Sequence, residues 1–331
     1  MSMAKAFPQK GPILVRLPNW IGDAVMASPV LVNLLNVYPS LALVGRPHIL
    51  SLFEGLAGVE GFFPLLPGRA HLLRLAQRIR GRYKTGLLLP NSFSSALLFW
   101  LARVKYRAGY ATDGRRLLLT HPVKKPKGKI HQRDYYLRLL EALGLETPFK
   151  KLRVFLSQEA QRRAEHYLSA LPRPRAALAP GAAFGPAKCW PLARYRALAY
   201  HLRRQGFSLV ILGGAAEHQA GAEIAKDLAR ARNLCGLIDL ATAAAIISRV
   251  DLFVSNDSGL MHVAAAFGIP QVAIFGSTDP ARTGPLNPKA KVVRAEVPCS
   301  PCFARTCSQG YLCFESIEVT KVLEACLEVC P

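Results

Sequence analysis

Residues 250–280 constrain the fold most. Asp251–Val254 is a short apolar run, long enough for one buried strand. Ser255, Asn256, Asp257 and Ser258 follow, four residues of the type that cap helices. Gly259–Phe267 is a helix of small residues that can pack closely on a sheet. Gly268-Ile269-Pro270 stops it, and Gln271–Phe275 reads as the next strand. A strand, tight turn, short helix and strand in this order make a parallel crossover. The helix start at the carboxyl edge of such a sheet offers free N–H groups to a phosphate. A capped helix with no ligand fits the same residues.

The rest of the chain repeats the pattern. Gly11–Leu17 is a buried strand, Pro18–Asp23 a turn, Ala24–Tyr38 a helix and Leu41–Gly45 a second strand. Helical periodicity covers Pro47–Leu56 and Ala70–Arg82. Gly86–Pro90 is another strand, with helix resuming after Ser94. From 105 to 130 the pattern loosens into a basic region broken by Gly and Pro, which includes Arg115 and Arg116 and reads as solvated loop. Gln132–Leu143 is helical. After a linker near 155–175 a second alternating set begins at Ala176. Its later helices are Leu192–Gln205, Ala216–Ala231 and Leu240–Ser248. The expectation is an α/β chain with two doubly wound parallel-sheet domains, 1–165 and 175–315. The final helix, 316–331, is a candidate to cross back onto the first domain.

Charge divides the halves. Of a formal net charge of +22, residues 1–170 carry 26 Lys and Arg against 9 Asp and Glu, and the remainder carry 17 against 12. Nucleic acid, an anionic membrane face or a phosphorylated substrate would explain such a field, and so would a merely soluble basic surface. No aromatic–basic stripe or recognisable nucleic-acid module accompanies the charge, so no specific nucleic acid is expected. Met1–Lys10 is short and polar, unlike a leader. No apolar run reaches the ~18 residues of a spanning helix. The longest, within Ser95–Val104, is either core or a membrane contact.

Several positions offer chemistry. Asp23 follows the first strand and begins a helix, so it is either an N-cap or a base within reach of a hydroxyl proton. The loop Pro180–Pro191 holds Gly181 and Lys188, suited to phosphate approach and neutralisation, but it is neither a Walker loop nor G-x-G-x-x-G. Glu217 ends a third such loop, where it can accept ribose hydroxyls or stand solvated at a helix start. His262 lies one turn into the Gly259 helix and is either structural or turned to the phosphates. Asp257, itself anionic, is expected to cap that helix. The amides of Ser258, Gly259 and Leu260 are left for a diphosphate. Cys299, Cys302, Cys307 and Cys313 fall within fifteen residues. Four thiolates can hold zinc or an iron–sulfur cluster, but the spacing has one Cys-x2-Cys knuckle where zinc ribbons use two, and reduced, partly buried thiols are the expectation.

Taken together, Leu17–Ser28 with its Pro-Asn-Trp-Ile-Gly-Asp opening, Leu89–Phe93, Pro180–Lys188 with Trp190-Pro191, and Ser255–Ala266 resemble the ADP-heptose:lipopolysaccharide heptosyltransferases, glycosyltransferase family 9, nearest the heptosyltransferase II branch. The resemblance runs in order along nearly the whole chain. It implies a GT-B fold of two Rossmann-like domains facing across a cleft, acceptor in the first and donor in the second. It implies inverting, metal-independent transfer of L-glycero-D-manno-heptose from ADP-heptose, a substrate and not a cofactor, onto the first heptose of the lipid A–Kdo inner core. Heptosyltransferase I or III is the near alternative. A basic nucleic-acid-binding protein is the distant one. By position, Asp23 would be the base, Lys188 would hold the diphosphate, and Gly181, Glu217, Asp257, Ser258, Gly259, Leu260 and His262 would complete the donor site. Asn19, Trp20, Asn91 and Ser92 would meet the acceptor. Ala183 and Cys189 depart from the glutamate and arginine common in the family, and the cysteine cluster belongs to only part of the branch. The resemblance further implies a cytoplasmic monomer, peripheral on the anionic inner face of the membrane.

Overall fold

Uniformly apolar runs can satisfy their backbone only by pairing on both edges, and they become the central strands of two sheets. The computed structural model describes residues 7–330. Residues 1–6 of the polar stretch Met1–Lys10 lie outside those residues. The chain divides into two units, the first ending at Phe155 and the second beginning at Leu156.

The first unit holds β1 (Ile13–Arg16), β2 (Leu41–Gly45), β3 (Val59–Pro64), β4 (Thr85–Leu88), β5 (Tyr106–Tyr110) and β6 (His121–Val123) in the spatial order β3-β2-β1-β4-β5-β6. The second holds β7 (Arg175–Ala179), β8 (Ser208–Ile211), β9 (Ala231–Asn233), β10 (Leu252–Asn256), β11 (Gln271–Phe275) and β12 (Ala290–Arg294) in the order β12-β11-β10-β7-β8-β9. Every pairing is parallel. The strand order of each sheet therefore reverses once, between β1 and β4 and between β7 and β10. Open α/β sheets bind ligands at the carboxyl ends of such a strand pair.

Several expectations change. The helix expected over Ala24–Tyr38 is two helices, Ile21–Met26 and Ser28–Leu35, because Pro29 near the start of the second has no N–H to continue the first. The region 105–130 supplies β5 and β6, so it is sheet edge as well as loop. Arg115 is fully buried there. The domain boundary comes earlier than 165–175: the helix Gln158–Leu168 packs on the helix Leu240–Ile247 and belongs to the second unit. The last helix, Val319–Val329, packs on β10, β11 and β12 and on the helix Leu192–Arg204 of that same unit.

Around the opening stretch, the helix Gly259–Phe267 forms as expected. Gly268 closes it in the left-handed conformation, φ +68°, which a side chain would strain. Its N-cap is Ser258, with no side-chain cap bond, so Asp257 is not the cap.

Candidate active site

In the first unit the site residues lie on the loops after β1 and β4. Arg16 ends β1 buried, its guanidinium donating to the Leu17 carbonyl and to Asn19 Oδ1 at 2.5 Å. Burial, helped by nearby Arg46, pulls its pKa down to about 10. A buried charge needs such fixed acceptors, and here they fix Asn19 in return. Trp20 beside it is exposed. Asp23 stands in the first turn of the helix Ile21–Met26, whose N-cap position is taken by Trp20. Its Oδ1 accepts from the Tyr136 hydroxyl at 3.2 Å. Burial, and then the Asp23 charge, push the Tyr136 phenol well above its ordinary value, so it stays a protonated donor.

The loop after β4 is tied to the same support. Tyr135 donates to Asn91 Oδ1 at 3.0 Å. Arg115 reaches the Pro90 carbonyl, Ser95 Oγ at 3.0 Å and the Tyr110 carbonyl at 2.9 Å. Ser92 caps the helix Phe93–Leu101 by position, without a side-chain cap bond; its Oγ pairs with Ser94 Oγ at 3.3 Å. Two consecutive tyrosines on the helix Gln132–Glu141 thus hold both loops of the strand-order reversal, one at Asn91 and one at Asp23.

In the second unit, Lys188 Nζ lies 2.5 Å from Asp257 Oδ2, both largely buried. The same oxygen accepts from Thr278 Oγ1 at 2.6 Å. Asp257 therefore orients the lysine. Lys188 also sits 4.9 Å over the Phe184 ring. Asn256 joins the β7 and β10 loops: its Oδ1 accepts from the Trp190 amide and the Tyr195 hydroxyl, both at 3.1 Å, and its Nδ2 donates to the Pro180 carbonyl at 2.6 Å. Ser258 Oγ and Ser277 Oγ have no hydrogen-bond partner within the protein. Buried hydroxyls are normally satisfied, so these two, next in sequence to Asp257 and Thr278, are left able to donate to a ligand. His262 is 2% exposed, inside the packed face of its helix.

Glu217 Oε2 accepts from the Gly214 amide at 2.7 Å. A Cβ on Gly181 would lie 2.5 Å from Glu217 Cγ, so glycine there is what lets the loops touch. Gly181 and Glu217 share a pocket of about 390 Å³ with Cys189, Trp190, Ala216 and Tyr311. Lys188, Asp257, Ser258, Gly259, Leu260 and His262 are not part of its lining.

The cysteine segment lies over the Lys188 loop. Ala187 donates to the Arg305 carbonyl at 3.1 Å, and Arg305 stacks on Phe184 at 5.3 Å. All eight cysteines are unpaired. Cys307 Sγ accepts the amides of Gln309 and Tyr311 at 3.3 Å. Burial, and then its three cysteine neighbours, raise the Cys313 thiol. Among the described residues no group of three or more His, Cys, Asp or Glu is arranged to hold a metal ion.

The sequence profile of glycosyltransferase family 9 (heptosyltransferase) matches residues 72–312. The chain belongs to this family. Lipopolysaccharide heptosyltransferase 2 of Salmonella typhimurium is 33% identical over 311 residues, covering 85% of this chain and 87% of that protein. The solved structure of the Escherichia coli ADP-heptose lipopolysaccharide heptosyltransferase II superposes with a TM-score of 0.82 at 30% identity, covering 96% and 98% of the two chains. A family 9 glycosyltransferase from Veillonella parvula shares the fold, with a TM-score of 0.85 at 22% identity over 99% of both chains. The two parallel sheets described above are those of a family 9 enzyme, a GT-B glycosyltransferase.

Residues bonded to the candidate site or its loops that the sequence did not single out are Arg16, Arg115, Tyr135, Tyr136, Asn256 and Thr278. A charge inside an apolar strand, as in Ile-Leu-Val-Arg, was a usable signal for Arg16. Nothing in sequence spacing connects Tyr136 to Asp23, which lie 113 residues apart.

Proposed function

We propose that this family 9 enzyme transfers L-glycero-D-manno-heptose from ADP-heptose to the first heptose of the lipid A–Kdo inner core, with inversion and without a metal. The observation that carries the reading is placement. Asp23, Asn19, Trp20, Asn91 and Ser92 gather at the reversal point of one sheet, and Lys188 with Asp257–Leu260 at that of the other. Relatives named heptosyltransferase 2, matched over 87–88% of their length, support the substrate pair.

In this mechanism the Asp23 carboxylate takes the proton of an acceptor hydroxyl. The hydroxyl oxygen forms the new bond to the anomeric carbon while the bond from that carbon to the β-phosphate oxygen breaks. ADP leaves with the electron pair, and a single displacement inverts the centre. Negative charge grows on the departing diphosphate, where Lys188 and the first-turn amides Ser258–Leu260 stabilise it, doing the work a metal would otherwise do. Asp257 positions Lys188 and does not itself touch phosphate. His262 supports the helix from inside. Glu217 keeps one carboxylate oxygen for ribose hydroxyls in the pocket it shares with Gly181.

We place the enzyme as a monomer on the anionic cytoplasmic face of the inner membrane, with no specific nucleic-acid partner. No described helix is long and apolar enough to cross a membrane. The test is incubation with ADP-heptose and, in parallel, heptosyl-Kdo2-lipid A and Kdo2-lipid A, read by product mass. A gain of one heptose on the first acceptor alone is expected. Gain on the heptose-free acceptor would reassign the chain to the first transfer, and gain on neither would reject the reading.

A further inference from the structure

We propose that the outer face of the helices Arg69–Ile79 and Phe93–Leu101 is the surface by which the first unit lies on an anionic bilayer, an inference that rests on the lipid-linked acceptor above. The two helices pack side by side on one face of the first sheet. Their inner sides are core: Leu75, Ala76 and Ile79 on one, Ala96, Leu98 and Phe99 on the other. Their outer sides are not polar in the usual way. Leu73 is 50% exposed and Trp100 51%, with Leu66 and Phe93 exposed nearby in the chain.

Scattered exposed apolar residues are normal on any protein. What sets this face apart is the charge around them. From residue 61 to residue 112 the chain carries nine Lys and Arg and no Asp or Glu. Arg69, Arg74, Arg78, Arg80 and Arg82 are all exposed. Soluble surfaces intersperse both signs, and a single-sign field broken by Trp and Leu matches a lipid interface: cations for phosphate headgroups, a tryptophan at headgroup depth. Neither helix is long enough to span, so both would lie in the plane of the surface. The exposed apolar residues of the second unit, such as Leu237, Leu312 and Leu327, have no such acid-free setting, and Leu327 is flanked by Glu324 and Glu328.

The face also connects to the site. Phe93 follows Ser92 directly, so the helix Phe93–Leu101 starts at the acceptor loop. A bilayer against this face brings a membrane-embedded acceptor to the carboxyl edge of the first sheet, where Asn91 and Asp23 stand. An apolar-flanked cationic face favours lipid over nucleic acid, which would engage the arginines without Leu73 or Trp100.

The experiment uses the full chain with vesicles of phosphatidylcholine, alone or mixed with phosphatidylglycerol. The variants are R69E/R74E, L73S/W100S and a control on the second unit, R204E/K226E. Each cation near such a surface contributes ~1 kcal/mol, so R69E/R74E should lose at least about thirtyfold in affinity for the anionic vesicles. L73S/W100S, with its charge intact, should lose about tenfold. The control should bind as wild type, and all should process an acceptor oligosaccharide stripped of its acyl chains at the wild-type rate. Unchanged sedimentation of both face variants overturns the proposal while leaving the transferase reading intact. Loss of duplex DNA binding in R69E/R74E without loss of vesicle binding overturns it in favour of a nucleic-acid surface. Vesicle binding lost through this face in a protein that transfers no heptose upholds the face and rejects the transferase reading.

Discussion

The two units share one strand order and hold their loops by opposite means. The first fixes its site from outside the sheet: Tyr135 and Tyr136, neighbours on one helix, reach the loops after β4 and β1. The second fixes its site from within the strands. Asn256, the last residue of β10, ties down the β7 loop, and Asp257, next along, aims Lys188. The difference suits the chemistry proposed for each. A base needs a carboxylate whose neighbour donates to it and carries no competing charge. A diphosphate site needs a cation held in register with helix amides. A common topology puts both loop sets at the strand-order reversal, and in the proposed mechanism side chains alone make one a proton acceptor and the other an anion site.

That contrast breaks most visibly at turnover. Asp23→Asn should lower kcat by about 10²–10⁴, the range for a lost general base, in a radiolabelled heptose-transfer assay. Retained turnover would remove the first unit from the chemistry. Lys188→Ala should lower kcat by about 10²–10³, as for one lost donor at a developing anion. Asn256→Ala tests the internal brace: three hydrogen bonds disappear, leaving a buried amide unpaired, and urea unfolding should show a loss of about 3 kcal/mol. Tyr136→Phe removes only the hydroxyl that meets Asp23. It should cost about fivefold in kcat with donor affinity unchanged, the worth of one hydrogen bond. Because the Tyr136 phenol is held well above 10, the alkaline limb of the rate profile should be the same in wild type and variant.

The smallest effect separates the units by pH. Burial raises the thiols of Cys235, to about 12, and of Cys189, Cys326 and Cys330 in the second unit. The first unit carries no cysteine. It has instead the raised tyrosines Tyr38, Tyr110, Tyr135 and Tyr136. Each such group is protonated in the folded state at a pH where the unfolded chain has already ionised. Its stabilisation is complete below the unfolded value and is lost as pH rises through the folded one. Loss should therefore begin near pH 9 in the second unit and near pH 10 in the first. Amide exchange followed by mass spectrometry across that window should show the second unit opening first, and simultaneous opening would contradict it.

Much of this was legible in the chain. The central strands announced themselves as apolar runs, and the loops after β1, β4, β7 and β10 were readable as strand ends rich in Gly, Asn, Ser and Asp. The last two strands of the first sheet were not. β6, the edge, has three residues, because an edge strand has one paired side and needs no apolar run, and β5, Tyr106–Tyr110, though paired on both sides, mixes Arg and Gly into its five residues. Asp23 and Asp257 were each legible as capping residues, and the N-cap positions fall instead to Trp20 and Ser258. Each found a stronger long-range partner, the Tyr136 hydroxyl and the Lys188 ammonium, that local sequence does not encode. Arg115 read as a solvated loop charge and is instead a buried strut, since its acceptors come from carbonyls that only the fold assembles.

The central claim is that the base belongs to the first unit and the donor to the second. Calorimetric titration of ADP-heptose into Asp23→Ala and Lys188→Ala, side by side, tests it most directly. Asp23→Ala should bind the donor as wild type does while forming no product, and Lys188→Ala should bind it about tenfold or more weakly, as for a charge-assisted contact. Weakened binding in Asp23→Ala together with wild-type binding in Lys188→Ala would contradict the assignment.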